Sequence, residues 1–289
     1  FFCNSGAEAN ETSLKIARRY TGRTEIVAME GGFHGRTIGP LSVTGLGHYR
    51  EMFQPLLTGS RFAEFGDLAS IEAAVTDETA AVILEPIQSM AGVRVANADF
   101  YQGLRRLCDE RGALLIFDEV QTGFGRTGTM FAGEHWGVVP DLISVAKGMA
   151  SGFPMGATLV RGEIAETISY GEQGSTFGGG PLACAAAQAN LQTILEENLV
   201  ENARTMGAYI QERMNGLGGV VEVRGLGLLL GVVTERPAKE MQQALLEEGF
   251  IVGSSVDPHV LRLMPPLIVE EEHVDALVTA WNKVMQTMD

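Results

Sequence analysis

Two short apolar runs, each closed by a polar residue, constrain this chain more than anything else in it. Leu114-Leu115-Ile116-Phe117 leads into Asp118-Glu119-Val120-Gln121, and Leu142-Ile143-Ser144-Val145-Ala146 leads into Lys147-Gly148. A glycine-rich bend lies between them. Runs of this length and make-up form strands buried on both faces. In an open parallel sheet, ligands collect at the carboxyl ends of the strands. Asp118 and Lys147 therefore stand where an acid and an amine can reach one small molecule from two sides.

That pairing suits pyridoxal phosphate, which needs a lysine amine for a Schiff base and a carboxylate to keep its ring nitrogen protonated. A lysine at a sheet end is partly desolvated, which frees its amine for such chemistry. Charged residues also close strands and mark turns, so spacing alone leaves both readings open. Two nucleotide readings of the stretch fare worse. Leu114 to Glu119 resembles a Walker B strand, but no G-x-x-x-x-G-K-[ST] loop occurs in the chain. Gly123-Phe124-Gly125-Arg126-Thr127-Gly128 matches G-x-G-x-x-G. It follows its strand too late, however, and opens no plausible helix.

Composition narrows the partners. A net charge of −15 argues against nucleic acid or an anionic membrane surface, and 45% hydrophobic residues among 289 supply a sizeable core. Cys3, Cys108 and Cys184 show no metal-ligand spacing, which points to reduced thiols in a cytoplasmic protein without a metal. No apolar run approaches the roughly 20 residues of a membrane helix, and no signal peptide is evident. The chain opens at Phe1 inside a strand-turn-helix already under way, and reads as a fragment lacking its natural start.

The remaining segments alternate strand and helix. Ser5 caps a helix with Glu8 in capping-box position, and small residues at that start admit a phosphate to backbone N–H groups. Glu25 to Met29 is a strand, followed by Phe33-His34-Gly35-Arg36, where Phe33 can lie on a planar ring and Arg36 can clamp a carboxylate. Leu68 to Ala74 reads as helix and Ala80 to Leu84 as a buried strand ending in Glu85. Phe100 to Arg111 is helical, and Ala157 to Val160 is a returning strand. Gly148 to Gly156 is too glycine-rich for helix. Gly174 to Pro181 forms a second small-residue turn before a helix from Leu182 to about Leu195. Beyond Glu197 come a helix from Leu199 to Leu217, strands Val220 to Val223 and Leu228 to Val233 around a Gly225-Leu226-Gly227 turn, helix Ala238 to Glu248, strand Val260 to Met264 and helix Glu270 to Met288. The expected fold class is α/β, a mostly parallel doubly wound sheet over residues 1–195, with a smaller α+β domain over 196–289.

Taken together, these segments resemble the class III pyridoxal-phosphate aminotransferases. The resemblance rests on Phe2 to Glu11, Phe33 to Thr37, Glu85-Pro86-Ile87-Gln88, Ile116 to Gly123, Ala146-Lys147-Gly148, Gly174 to Gly179 and Leu261 to Pro266, all in family order. It implies a fold type I enzyme, a homodimer with active sites between subunits. It further implies transfer of an amino group from an ω-amino donor such as N-acetylornithine to 2-oxoglutarate. Donors such as 4-aminobutyrate, ornithine or a diamine are the alternative, and a non-catalytic binding subunit is the alternative of another class. The resemblance assigns Lys147 to covalent attachment of the cofactor and proton transfer, Asp118 to the ring nitrogen, Gln121 to the phenolic oxygen and Phe33 to stacking. It gives the phosphate to Gly6 and Ala7 beside Ser5, and to Thr176 of the neighbouring subunit. His34, Glu85 and Val120 line the cofactor, and Arg36, Ser175 and Arg262 bind substrate. Two positions depart from the family pattern: Ser89-Met90 stands where Gly-Glu is usual, and Gly180 where asparagine is usual.

Overall fold

Apolar β-rich runs need partners for their backbone groups, and those of the first two-thirds of the chain find them in one seven-stranded sheet. A computed structural model describes residues 1–288. It divides into two units. One comprises Phe1–Pro86, Ala96–Gly123 and Phe131–Gln192; the other comprises Ile87–Val95, Phe124–Met130 and the chain from Thr193 onward.

The strands of the first unit are β1 (Phe2–Cys3), β2 (Glu25–Met29), β3 (Ser60–Ala63), β4 (Thr79–Leu84), β5 (Leu114–Asp118), β6 (Leu142–Val145) and β7 (Gly156–Val160). Their order is β1-β7-β6-β5-β4-β2-β3. Strands β3, β2, β4, β5 and β6 run parallel, while β7 and β1 close the edge in antiparallel pairing. Leu84 pairs with Phe117, and Phe117 with Ile143. The segments that follow β4, β5 and β6 therefore leave the sheet at one edge. Every residue of β4 and β5 is buried, as continuous apolar runs require. Each fully buried Val, Leu or Ile in them contributes about 1.5–3 kcal/mol.

Helix α1 (Gly6–Thr21) lies against this sheet, placing Leu14, Ile16 and Ala17 in a core with Ile26, Ile83 and Ile116. Ser5 caps it, accepting the Glu8 N–H at 3.3 Å, and Gly22 ends it in the left-handed region at φ 69°. The Glu8 carboxylate accepts the N–H of Asn4 at 2.7 Å, one residue before the cap, which ties the β1–α1 bend to the helix. The helix Ala98–Arg111 starts at Asn97, whose side chain accepts the Phe100 N–H at 2.9 Å, and stops at Gly112 with φ 60°.

Within that helix Tyr101 is fully buried and stacks on Trp136 at 3.6 Å between ring centroids. Its hydroxyl donates to the Pro86 carbonyl at 2.6 Å and accepts the Ala96 N–H at 3.1 Å. Tyr101→Phe keeps the ring but leaves the buried Pro86 carbonyl and the partly buried Ala96 N–H without that partner. It is expected to lower unfolding stability by about 1–3 kcal/mol, read as a lower urea midpoint at unchanged slope.

The second unit holds a four-stranded antiparallel sheet of β8 (Val220–Leu226), β9 (Leu229–Thr234), β10 (Gly253–Ser254) and β11 (Val260–Leu263), in the order β10-β11-β9-β8. Helices Leu199–Met214, Ala238–Glu247 and Glu271–Met288 close over Leu228, Leu230, Val232 and Leu261. Trp281 is fully buried among them and donates its ring N–H to the Gly218 carbonyl at 3.0 Å.

Several boundaries differ from the sequence expectation. The β8–β9 hairpin turns at Gly227-Leu228, since Leu226 pairs with Leu229; the expected turn at Gly225 lies inside β8. Gly225 has φ 121°, and a Cβ there would meet the Leu229 carbonyl, so that glycine serves the pairing and not the turn. Lys147–Met149 forms a single 3-10 turn in a stretch expected to be loop. Strand β3 has no counterpart in the expectation, because an edge strand half open to solvent lacks a continuous apolar run. Among the described residues all three cysteines are free, and no helix is long and apolar enough to cross a membrane.

Candidate active site

The parallel strands deliver their following residues to one cavity of about 690 Å³ in the first unit. Glu85 follows β4, Asp118 ends β5, and Ala146-Lys147 follows β6; all of them line it. The start of α1 supplies Ser5, Gly6 and Ala7. Gly6 and Ala7 are the first two helical positions, whose N–H groups have no acceptor inside the helix and face the positive end of its dipole. A Cβ on Gly6 would come within 2.8 Å of Val120, so only glycine lets the helix start sit this close to the end of β5. Phe33, His34 and Arg36 enter from the loop after β2, and Val120 and Gln121 from the turn after β5.

Asp118 is the most heavily supported group in the cavity. It is 3% exposed, and three donors converge on it. His34 donates from Nδ1 to Oδ2 at 2.8 Å, Asn10 donates from Nδ2 to Oδ2 at 2.7 Å, and the Val120 N–H reaches Oδ1 at 3.1 Å. A carboxylate can only accept, so it fixes His34 as the Nδ1–H tautomer or the cation.

Glu85 behaves differently. Burial pushes its carboxyl up to about 7 and neighbouring Asp118 raises it further, while His34, the Phe33 N–H and Lys147 oppose. The Phe33 N–H reaches Oε2 at 2.9 Å. Next to Asp118, Glu119 faces away from the cavity, where it binds the loop that follows. It accepts from the Thr122 hydroxyl at 2.8 Å and from the N–H groups of Ala132 at 2.8 Å and Gly133 at 3.1 Å, and burial pushes it up to about 7 as well.

A carboxyl that titrates near 7 when folded and near 4.5 when unfolded keeps a proton that the unfolded chain has already lost. Between those values the folded state binds more protons, so this contribution to stability is lost as pH rises from about 4.5 to 7 and is flat above. Glu85→Gln mimics the protonated form and still accepts the Phe33 N–H. Its stability relative to the wild type is therefore expected to rise by up to about 3 kcal/mol between pH 5 and pH 8, read from urea midpoints of cofactor-free protein.

Lys147 occupies the left-handed region at φ 43°, unusual for a residue with a side chain, and is exposed. Arg36 lies with its guanidinium 4.2 Å from the Tyr49 ring centroid and 5.9 Å from that of Phe33, and Phe33 meets Tyr49 edge-on. Ser175 and Thr176 stand outside the cavity. The Ser175 hydroxyl accepts from Asn4 Nδ2 at 3.2 Å and from the Gly178 N–H at 3.0 Å, while Thr176 is exposed. Arg262 belongs to the second unit, where it donates to the Ser89 hydroxyl at 2.9 Å and to the Ser254 carbonyl.

Sequence reasoning passed over Asn10 and Tyr49. Asn10 had a legible signal: it lies four residues from both Gly6 and Leu14, on the buried stripe of α1, where an uncharged polar residue needs a partner.

The family model for aminotransferase class-III matches residues 1–285. The chain belongs to the class III aminotransferases. This aminotransferase is 44% identical to the acetylornithine aminotransferase of Methanocaldococcus jannaschii over 98% of its length and 74% of that protein. It is 48% identical to the acetylornithine aminotransferase of Methanosarcina mazei over 96% of its length and 70% of that protein. Among solved structures it is similar to an ornithine aminotransferase from Toxoplasma gondii, with PLP at partial occupancy in its active site. There the TM-score is 0.92 and the identity 30%, over 99% of this chain and 73% of that one. The mostly parallel sheet with its helices is the fold type I arrangement of these aminotransferases.

Proposed function

We propose that this aminotransferase uses pyridoxal 5'-phosphate to move the amino group of an ω-amino donor, N-acetylornithine first among them, onto 2-oxoglutarate, giving the semialdehyde and glutamate. The observation that carries the reading is the meeting of Lys147, Asp118 and the α1 N-terminus on one cavity. The residues fit the cofactor: an acid held in place by hydrogen bonds, an amine, an anion-binding helix start, and an aromatic wall at Phe33.

When bound, pyridoxal phosphate supplies an electron sink for the charge left on the substrate carbon as its proton departs. Asp118 would hold a proton on the ring nitrogen, and its three hydrogen-bond partners fix the carboxyl in place for that task. Lys147 would hold the cofactor through Nζ and, once the substrate amine has taken its place there, would be free to take the proton from the substrate carbon and return it at the cofactor. The N–H groups of Gly6 and Ala7, with Ser5, hold the phosphate. Gln121 would face the phenolic oxygen, and Phe33, His34, Glu85 and Val120 would complete the cofactor's surroundings. Arg36 and Arg262 bind substrate carboxylates. Ser175 and Thr176 serve a homodimer, Thr176 reaching the phosphate of the neighbouring subunit. Residues 1–195 are the cofactor-binding domain and residues 196–289 the small domain, in a cytoplasmic enzyme.

One observation keeps other donors in play. Arg262 is held by the Ser89 hydroxyl, and Met90 stands where the family pattern has glutamate. The test is a panel of N-acetylornithine, ornithine, 4-aminobutyrate and a diamine, each with 2-oxoglutarate and the cofactor. N-acetylornithine is expected to give the highest kcat/KM, with the parallel-line kinetics of a two-step transfer. Absence of glutamate from every donor overturns the reading.

A further inference from the structure

Helix α1 is tied to three neighbouring strands by buried polar contacts, all from two adjacent turns. The Ala9 carbonyl accepts from the Thr158 hydroxyl on β7 at 2.8 Å, and the Ser13 and Ser144 hydroxyls meet at 2.7 Å on β6. Asn10 donates to Asp118 on β5. These residues are at most 1% exposed, apart from Asp118 itself. Only Asn10 touches a group that faces the cavity chemistry. Its amide nitrogen carries two hydrogens, and both are used: one on Asp118 Oδ2 at 2.7 Å, the other on the His34 carbonyl at 2.7 Å. His34 in turn donates to the same Oδ2. One amide thus clamps both the acid and the residue that supports it.

We infer that Asn10 is a positioning residue for the transamination chemistry, setting the placement of the Asp118 carboxylate relative to the α1 N-terminus. The inference rests on the proposed use of Asp118 as partner of the cofactor's ring nitrogen. On that reading the cofactor would be gripped at two places, its phosphate at the start of α1 and its ring nitrogen at Asp118. The separation of those grips is set by how α1 sits on β5. Asn10 fastens that joint one turn from Gly6. Packing alone would be served by any side chain of the same size; the clamp requires a double donor.

The decisive variant is Asn10→Asp, which keeps size and shape and replaces the donor by an acceptor facing two acceptors. At pH 8 the clamp predicts a fall in kcat of about 100-fold, a 10- to 100-fold weaker affinity for pyridoxal phosphate, and a donor KM within about threefold of the wild type. The second readout needs neither cofactor nor substrate: ring ¹⁵N resonances of His34 in the cofactor-free protein. They are expected to report an Nδ1-bound proton in the wild type and a changed protonation pattern in Asn10→Asp. Should that variant not fold, Asn10→Ser, which keeps one donor, is compared with Asn10→Ala. The serine variant is expected to retain about tenfold more kcat. Wild-type kcat with unchanged His34 resonances in Asn10→Asp, or equal kcat in the serine and alanine variants, overturns the inference. Because the His34 signal is read without turnover, it distinguishes failure of the clamp from failure of the transaminase assignment.

Discussion

Lys147→Ala is expected to lower glutamate formation by at least about 10⁴-fold while leaving the protein folded. Two proposed roles would vanish with one amine, the covalent hold and the proton transfer at the substrate carbon, and positioned acid–base groups alone contribute about 10²–10⁴-fold. The side chain is exposed and follows β6 outside the core, so stability is expected to stay within about 1 kcal/mol of the wild type. Borohydride reduction followed by peptide mass spectrometry reads the covalent hold directly. The wild type should yield a cofactor-modified peptide containing Lys147, and the variant none. Noncovalent cofactor binding should survive, because the α1 N-terminus and Asp118 are untouched. A variant that still attaches the cofactor covalently at another lysine would falsify the assignment of Lys147.

Asp118→Asn is expected to damage both chemistry and fold, by separable amounts. An amide has one acceptor oxygen where the carboxylate has two, and three donors converge on this side chain: His34, Asn10 and the Val120 N–H. At least one of them then faces an NH₂ group in a site 3% exposed, at a cost of about 1–3 kcal/mol in the urea midpoint. Turnover should fall about 10²- to 10⁴-fold, because a neutral amide no longer favours a protonated ring nitrogen. Comparing kcat with unfolding stability separates the two losses. An Asp118→Asn protein with wild-type kcat would remove the acid from the mechanism.

How much of this was legible in the sequence depended on where the signal is stored. The buried parallel strands β4, β5 and β6 announce themselves as apolar runs. Their terminal residues, Glu85, Asp118 and Lys147, could be placed on one edge from the rule for parallel sheets before any coordinate was known. Edge strands and short antiparallel pieces carry weaker patterns, which is why β3 and β10 went unseen. Nothing in the sequence marks 87–95 and 124–130 as belonging with the C-terminal part of the chain, since that membership is made by long-range contacts alone. The candidate site followed the same division. Of the residues that line the cavity, those after strand ends or in glycine loops, such as Glu85, Asp118, Lys147 and Phe33, were readable, whereas Asn10 inside α1 was passed over. Asn10 showed only as a polar residue on a buried stripe, because its partner Asp118 depends on which strand that helix face meets, and the stacking of Arg36 on Tyr49 is a tertiary contact that no local pattern marks.

The backbone at Lys147 carries a final consequence. A lysine held at φ 43° gives up about 1 kcal/mol or more relative to a residue that favours that region, and glycine is the residue that does. Lys147→Gly should therefore yield a more durable molecule than the alanine replacement, and an inert one. At this one position durability and reactivity select different amino acids. A descendant of this chain released from its chemistry would be free to drift toward the former.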